Sequence, residues 1–315
     1  MYIKGRLRYI KEVNSPSPYD SGNNISDIDI LNLGSDELSN VSIDVFEEIR
    51  YKVLQVVYGY GISLIITGQG GLGKSYEVEQ ALEESNKKYK FISGGITTAG
   101  LFELLFTSND QLLVFDDCDS VFDNQDSVNI LKSALDSKKK RIVSREIKTH
   151  FDTEGMTQND IMSNYKGDPS IADNKNLVDP KNKGKLPKNF QYNGRVIFIS
   201  NLKIDKIDPV LITRSSAHID VDLTHDKIIE RMKKVIRKIR PGVPYEKKEK
   251  VLRLMDYFSM NYKTKHPLSI RGLGNAIDTM VANSMTKSIN GKNIPMWQIL
   301  LKQDMLGDKA ERREG

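Results

Sequence analysis

The sequence predicts an α/β fold: a three-layer αβα parallel sheet followed by a small all-helical domain. Three observations carry that prediction. Apolar runs of strand length alternate with helical segments from residue 45 to about 222. A glycine-rich octapeptide, "GQGGLGKS" (68–75), joins the first such run to the helix after it. From Thr224 onward the apolar residues recur only at helical spacing. Alternating strands and helices build parallel sheets covered on both faces.

Each element follows in order. Residues 1–13 alternate basic and apolar side chains, a strand-like arm, with Lys4, Arg6 and Arg8 set against Ile3, Leu7 and Tyr9. "NSPSPYDSGNN" then reads as a linker. "SIDVFEEIRYKVLQVVY" places Val45, Ile49, Val53 and Val57 near helical period. The strand "ISLIIT", the glycine octapeptide and the helix "YEVEQALEES" follow. A second strand, "YKFIS", leads through "GGITTAG" into the helix "LFELLFT". A third, "QLLVF", ends in "DDCDS" before the helix "DSVNILKSALDS". "RVIFISN" and "SAHIDVDL" supply a fourth and a fifth strand. "THDKIIERMKKVIRKI" then stripes Ile228, Met232, Val235, Ile236 and Ile239 along one face, with Thr224 as N-cap. Three more helical segments are expected near 246–261, 270–289 and 294–306, separated by "KTKHP" and "INGKN". The expected domains are an arm and linker over 1–40, a core over 41–222 with an insertion over about 141–193, and a helical lid over 223–315.

Composition narrows the function. No apolar stretch reaches membrane-spanning length, and the start has no apolar signal-peptide region, so a cytoplasmic protein with no membrane partner is expected. One cysteine, Cys118, allows no intrachain disulfide. The four histidines lie far apart, without zinc spacing. The net charge is +5, but residues 224–315 carry twenty Lys and Arg against ten Asp and Glu. That basic third suits nucleic acid, or equally the charged outer faces of helices. Heavy use of Lys, Asn, Ile, Asp and Ser suggests an AT-rich genome such as a phage's; the host cytoplasm would then be the compartment.

The octapeptide fits G-x-x-x-x-G-K-[ST] at Gly68, Gly73, Lys74 and Ser75. Glycines let backbone N–H groups curl around phosphate oxygens. The helix that follows points its positive end at them. Lys74 reaches the β- and γ-phosphates, and Ser75 ligates Mg²⁺. The expected nucleotide-binding set is Gly68, Gln69, Gly70, Gly71, Leu72, Gly73, Lys74, Ser75 and Tyr76. "LLVFDD" supplies carboxylates at a strand end. Asp116 is expected to hold Mg²⁺ through water, and Asp117 to orient and deprotonate the attacking water. Asp119 is expected to cap or turn the chain. Cys118 is expected to be a packed thiol, its pKa raised by the neighbouring negative charges.

The ordered motifs resemble the AAA+ ATPases of the P-loop NTPase superfamily. "GQGGLGKS" looks like Walker A and "LLVFDD" like Walker B. "IFISN" is similar to sensor 1, with Asn201 at its tip, and "DPVLITRSS" to an arginine-finger region around Arg214. "PLSIRGLGNAI" looks like sensor 2, with Arg271 opening a lid helix. The closest motif style is that of clamp loaders and replication initiators. The resemblance covers about residues 42–306. It implies ATP and Mg²⁺ as cofactors and a ring homo-oligomer, a hexamer by family habit. Lys74, Ser75, Asp116, Asp117, Asn201 and Arg271 would act in cis, and Arg214 in trans.

Asp117 stands where the family usually has Glu, although replication initiators also carry Asp-Asp. The long stretch between "LLVFDD" and "IFISN" is the other departure. "RIVSREI" and "FQYNGRVIF" are expected to pair as a hairpin around a lysine-rich segment, either a pore-facing loop or a solvated insertion. "GGITTAG" sits where threading ATPases place an aromatic pore residue, and offers Ile96, Thr97 and Thr98 instead. The implied function is a DNA-directed ATPase such as a helicase loader or translocase, with DNA and a helicase or other protein as partners. A protein remodeller and an ATP-gated scaffold with little turnover are the alternatives.

Overall fold

The structure is a computed structural model and describes residues 42–136, 140–144 and 189–313. The chain divides into two compact units. One holds the residues up to Gly68 and Ser75–Asp220, and the other holds Gln69–Lys74 and Val221–Gly315. The arm over 1–40 and the lysine-rich segment over 145–188 lie outside the described residues.

The first unit opens with α1 (Val45–Val57), whose N-cap Asp44 accepts a hydrogen bond from Phe46 N at 2.9 Å. Its buried face is wider than the spacing predicts, adding Phe46, Leu54 and Val56 to Ile49, Val53 and Val57. β1 (Ser63–Gly68) is buried at every residue. α2 (Lys74–Ser85), β2 (Tyr89–Ser93), α3 (Thr98–Thr107) and β3 (Leu112–Asp116) follow. Next come the short α4 (Ser120–Asp123), α5 (Gln125–Ala134), β4 (Ile142–Ser144), β5 (Asn189–Gln191) and β6 (Arg195–Ile199). α6 (Pro209–Arg214) and β7 (Ala217–Val221) complete the sheet, which is five-stranded and parallel in the order β2-β3-β6-β1-β7.

Strands with both faces covered are near-continuous apolar runs, as "LIIT", "LLVF" and "VIFI" are here. The core on one face joins Leu101, Phe102, Leu105 and Phe106 of α3 to Phe115 and Phe198 of the sheet. Phe115 stacks on Phe198 with centroids 5.0 Å apart, and Phe122 meets Phe198 edge-on at 5.3 Å.

The expected hairpin is present: β4 pairs antiparallel with β5, with Val143 opposite Phe190. Phe190 is driven between Phe102 at 5.1 Å and Phe106 at 5.4 Å, which ties the hairpin to α3. Arg141 anchors its base. The guanidinium is buried, donates to the carbonyls of Ala134 and Gly194, and lies 5.1 Å from the centre of the Tyr192 ring. Burial lowers its pKa and pushes the Tyr192 phenol up.

In the second unit α7 (His225–Val235), α8 (Tyr245–Asn261), α9 (Ile270–Ala282) and α10 (Met296–Leu306) form the helical region. Thr224 is the N-cap of α7, but its side chain makes no capping bond. α7 stops at Val235, short of the stripe that would run to Ile239. Just past that end the buried Lys248 Nζ donates to the carbonyls of Ile236 and Arg237 at 3.3 and 3.4 Å. A cation on the last carbonyls of a helix satisfies them and complements its dipole.

The helix expected over 270–289 ends at Ala282. β8 (Thr286–Ile289) and β9 (Lys292–Pro295) form an antiparallel hairpin where the sequence reads helix and spacer. Asn290 and Gly291 turn it, with φ of 50° and 75°. Paired positive φ values at Asn-Gly are what a two-residue hairpin turn requires.

Candidate functional site

Parallel sheets place their ligands beyond the carboxyl ends of the strands, and register shows which residues share that edge. Ile66 of β1 is paired with Ile199 of β6, and Ile199 with Asp116 of β3. Gly68, Asp116, Asp117, Ser200 and Asn201 therefore emerge along one rim of the first unit. The backbone ties the rim together: Gly68 N donates to Leu202 O, Ser200 N to Ile66 O, and Asp117 N to Ile199 O.

Two hydrogen bonds join predicted site residues here. Ser75 Oγ donates to Asp116 Oδ1 at 2.9 Å. Asn201 Nδ2 donates to Asp117 Oδ1 at 2.5 Å. Asp117 adopts the left-handed conformation with φ of 54°, unusual for a non-glycine residue and a mark of functional turns. That turn, together with the amide of Asn201, sets the direction of its carboxylate.

Further polar pairs at this edge were not read from the sequence. Ser200 Oγ donates to Asp119 Oδ1 at 2.6 Å. Asp119 is thus the N-cap of α4 by position only, since its side chain makes no capping bond. Thr67 Oγ1, fully buried at the end of β1, donates to Asp220 Oδ1 at 2.5 Å and lies 3.3 Å from His218 Nε2. Burial lowers the His218 pKa, and Asp220 opposes that shift. No sequence signal joins residues so far apart in the chain.

Cys118 is buried within the main core cluster. Its thiol is pushed from 9.0 up to about 11, chiefly by burial. The surrounding carboxylates, expected to be the cause, add smaller contributions, and hydrogen bonding to the Asp116 backbone works the other way.

The glycine loop proper, Gln69–Lys74, groups with the second unit. Gln69 Nε2 donates to Leu268 O at 2.8 Å, and Ile270 N donates to Gly71 O at 2.8 Å. Gly71 has φ of 76°, and a Cβ there would stand 2.8 Å from the Cβ of Ser269. Both facts demand glycine at that position. Gly73, with φ of 99°, is the next left-handed residue, just before α2 begins at Lys74. Lys74 Nζ turns back onto Gln69 O at 2.8 Å. Of the remaining predicted binding residues, Gly70 and Leu72 lie within the loop, and Tyr76 is exposed on the first turn of α2.

Two predicted arginines remain. Arg214 is the last residue of α6. Its guanidinium donates to Lys132 O and pairs with Asp136 at 3.4 Å. At the other end of α6, Asp208 accepts from Lys132 Nζ at 2.7 Å, which lowers the Asp208 pKa. α6 is therefore clamped to α5 at both ends. Arg271 is the second residue of α9, after the N-cap Ser269, which accepts from Gly272 N at 3.0 Å. It is exposed and lines a groove of about 320 Å³ with His266, Leu268 and Asp304.

In the "GGITTAG" loop, Thr97 caps α3 by accepting from Gly100 N at 3.1 Å. Thr98 Oγ1 lies 2.8 Å from Ser127 Oγ. These residues are spent on local capping and packing.

The chain is thus an α/β protein with a five-stranded parallel sheet, a glycine loop after β1, paired carboxylates at the end of β3, and a C-terminal helical region. No protein-family model matches it. An uncharacterized 36.7 kDa protein in the nrdC-mobD intergenic region of Enterobacteria phage T4 is 29% identical over 197 residues. The match takes in 58% of this chain and 51% of that protein, so the chain spans about half the length of its relative.

Among solved structures, the Thermotoga maritima RuvB Holliday junction branch migration motor is similar at 10% identity and a TM-score of 0.42, covering 76% of this chain and 61% of that one. NtrX from Brucella abortus is similar at 12% and 0.39, covering 76% and 51%. The FIGL-1 AAA domain in complex with ADP is similar at 12% and 0.35, covering 82% and 73%. No helix among the described residues is long and apolar enough to cross a membrane.

Proposed function

We propose that the chain is an AAA+ ATPase that binds and hydrolyses ATP at the subunit interfaces of a ring homo-oligomer and uses the cycle to move or remodel DNA. The observation that carries the reading is the pair of hydrogen bonds Ser75–Asp116 and Asn201–Asp117 at the rim of the sheet. A serine that directly follows the loop lysine, already bonded to a strand-end carboxylate, suits Mg²⁺. That ion takes hard oxygen ligands and keeps several waters. Mg²⁺ held by Ser75, and by Asp116 through water, would neutralise phosphate charge.

The chain's own groups divide the remaining work. Backbone N–H groups of the glycine loop bind the phosphates, and Lys74 exchanges the Gln69 carbonyl for a phosphate oxygen. Asp117 accepts a proton from the attacking water, with Asn201 fixing the carboxylate's direction. Arg271 contacts the γ-phosphate from the lid helix in cis. Arg214 reaches the neighbouring subunit's nucleotide in trans, which requires it to leave Asp136.

The test is steady-state ATPase activity with and without single-stranded DNA, on the full chain and on two variants. Lys74→Ala should lose turnover. Arg214→Ala should lose it too, and should recover part of it when mixed with Lys74→Ala subunits. Turnover in wild type that is indifferent to DNA but raised by a partner protein would favour a protein remodeller. No turnover beyond that of Lys74→Ala would leave an ATP-gated scaffold, the reading favoured by the shorter Asp117 in place of Glu.

A further inference from the structure

We infer that the second unit binds single-stranded nucleic acid in a groove beside the β8–β9 hairpin, with Trp297 as the stacking surface and lysines as the phosphate contacts. The groove holds about 550 Å³. Lys247 and Lys250 at the start of α8 line it, with Met280 and Val281 at the end of α9, Asn283, and Trp297 at the start of α10. No carboxylate lines it, and its only charged groups are the two lysines.

The hairpin makes an independent observation. All four residues of β8 are exposed, as are Lys292 and Asn293 of β9. Register puts Lys287 opposite Ile294 and Ile289 opposite Lys292, so both lysines share one face of the ribbon, while the paired Thr286 and Pro295 of its other face line the groove. The ribbon has no acidic residue between Thr286 and Pro295. Among the described residues, Lys247, Lys250, Lys287 and Lys292 form no ion pair, whereas Lys234, Arg240, Arg253 and Lys263 elsewhere in this unit all do.

Lys247 and Lys250 at an apolar slot with an indole, and Lys287 and Lys292 on the adjoining ribbon, none ion-paired among the described residues, match a polyanion that offers flat apolar faces and runs from the slot over the ribbon. An unstacked base fits a groove of this size, and a duplex does not. Single strands bind by backbone charge and by bases stacked on aromatic side chains. Exposed Val281 and Met285, at 59% and 66% accessibility, add apolar surface at the rim. The inference names the site for the DNA proposed above and rests on that reading, but the binding itself needs no ATP.

Trp297 is the only tryptophan in the chain, so fluorescence excited at the red edge, where the tyrosines do not absorb, reports on this groove. The experiment titrates nucleotide-free full-length protein with an oligothymidylate of about 15 nucleotides at several salt concentrations. Saturable quenching that weakens with salt is expected. The combined variant Lys247→Gln, Lys250→Gln, Lys287→Gln, Lys292→Gln should lose at least about 10-fold in affinity. Its log–log salt slope should flatten by up to about 3, at roughly 0.7 per lost contact. Lys227→Gln with Lys233→Gln, exposed lysines of α7 outside the groove, should change neither.

The inference is overturned by no binding at low salt, by binding without any change in fluorescence, or by an equal loss in the α7 control. Quenching by polyglutamate as strong as that by the oligonucleotide would overturn it in favour of an acidic polypeptide. Loss of ATPase in Lys74→Ala with no DNA binding sinks only this inference. DNA binding without turnover sinks only the proposed activity.

Discussion

Asp116 and Ile199 stand on strands buried on both faces, whereas Lys287 and Lys292 stand on a ribbon open to solvent. In the first case strand register fixes each polar group against its neighbours, and hydrogen bonds of 2.5–2.9 Å lock the carboxylates in direction. In the second, the lysines form no ion pair among the described residues, and the role proposed for them asks only for charge and reach. Chemistry that needs a placed oxygen belongs on the first kind of support. Capture of a flexible polymer tolerates the second.

Substitutions can break or sharpen that contrast. Phe198→Ala should be the most costly, because Phe198 is buried between Phe115 and Phe122 behind the rim. A loss of about 3–5 kcal/mol in urea unfolding is expected; a loss under about 1 kcal/mol would mean the strand rim is not rigidly supported. Lys74→Ala should lower ATP turnover by about 100-fold or more, with the fold kept. Asp117→Asn should give a similar fall in kcat with little change in nucleotide affinity.

Ser269→Ala should cost about 1 kcal/mol, measured by thermal unfolding, since it removes the cap of α9. Cys118 adds a pH dependence. Its folded thiol keeps the proton up to about 11 while the unfolded thiol ionises near 9.0. The contribution is therefore whole below pH 9 and declines as pH rises from 9 toward 11. Replacing Cys118 with Ala should flatten that part of the stability profile. Tyr257→Ala, on the exposed side of α8 at 52% accessibility, should change stability by less than about 0.5 kcal/mol.

The sheet was legible because its strands are apolar throughout and its helices periodic. Gly68, Lys74, Ser75 and the two aspartates could be named as candidates because each motif is local. The β8–β9 hairpin was legible in principle: Asn290-Gly291 between alternating residues is a turn signal, but helical spacing on either side outweighed it. The contact of Lys248 with the carbonyls past α7 was not, because it comes from the next helix. Nor was the restraint on Arg214, whose partners Lys132 and Asp136 lie on or just beyond α5.

The sequence by itself determined the alternation of strands and helices in the sheet, the glycine loop and the candidate carboxylates, since local backbone preference and hydrophobic period are written residue by residue. Tertiary structure decided which strand lies beside which, that Asn201 meets Asp117, that Ser200 meets Asp119 across 81 residues, and that Gly71 must pass against Ser269. Those contacts join segments far apart in the chain. Only burial of a shared core fixes their register, and no local preference encodes it.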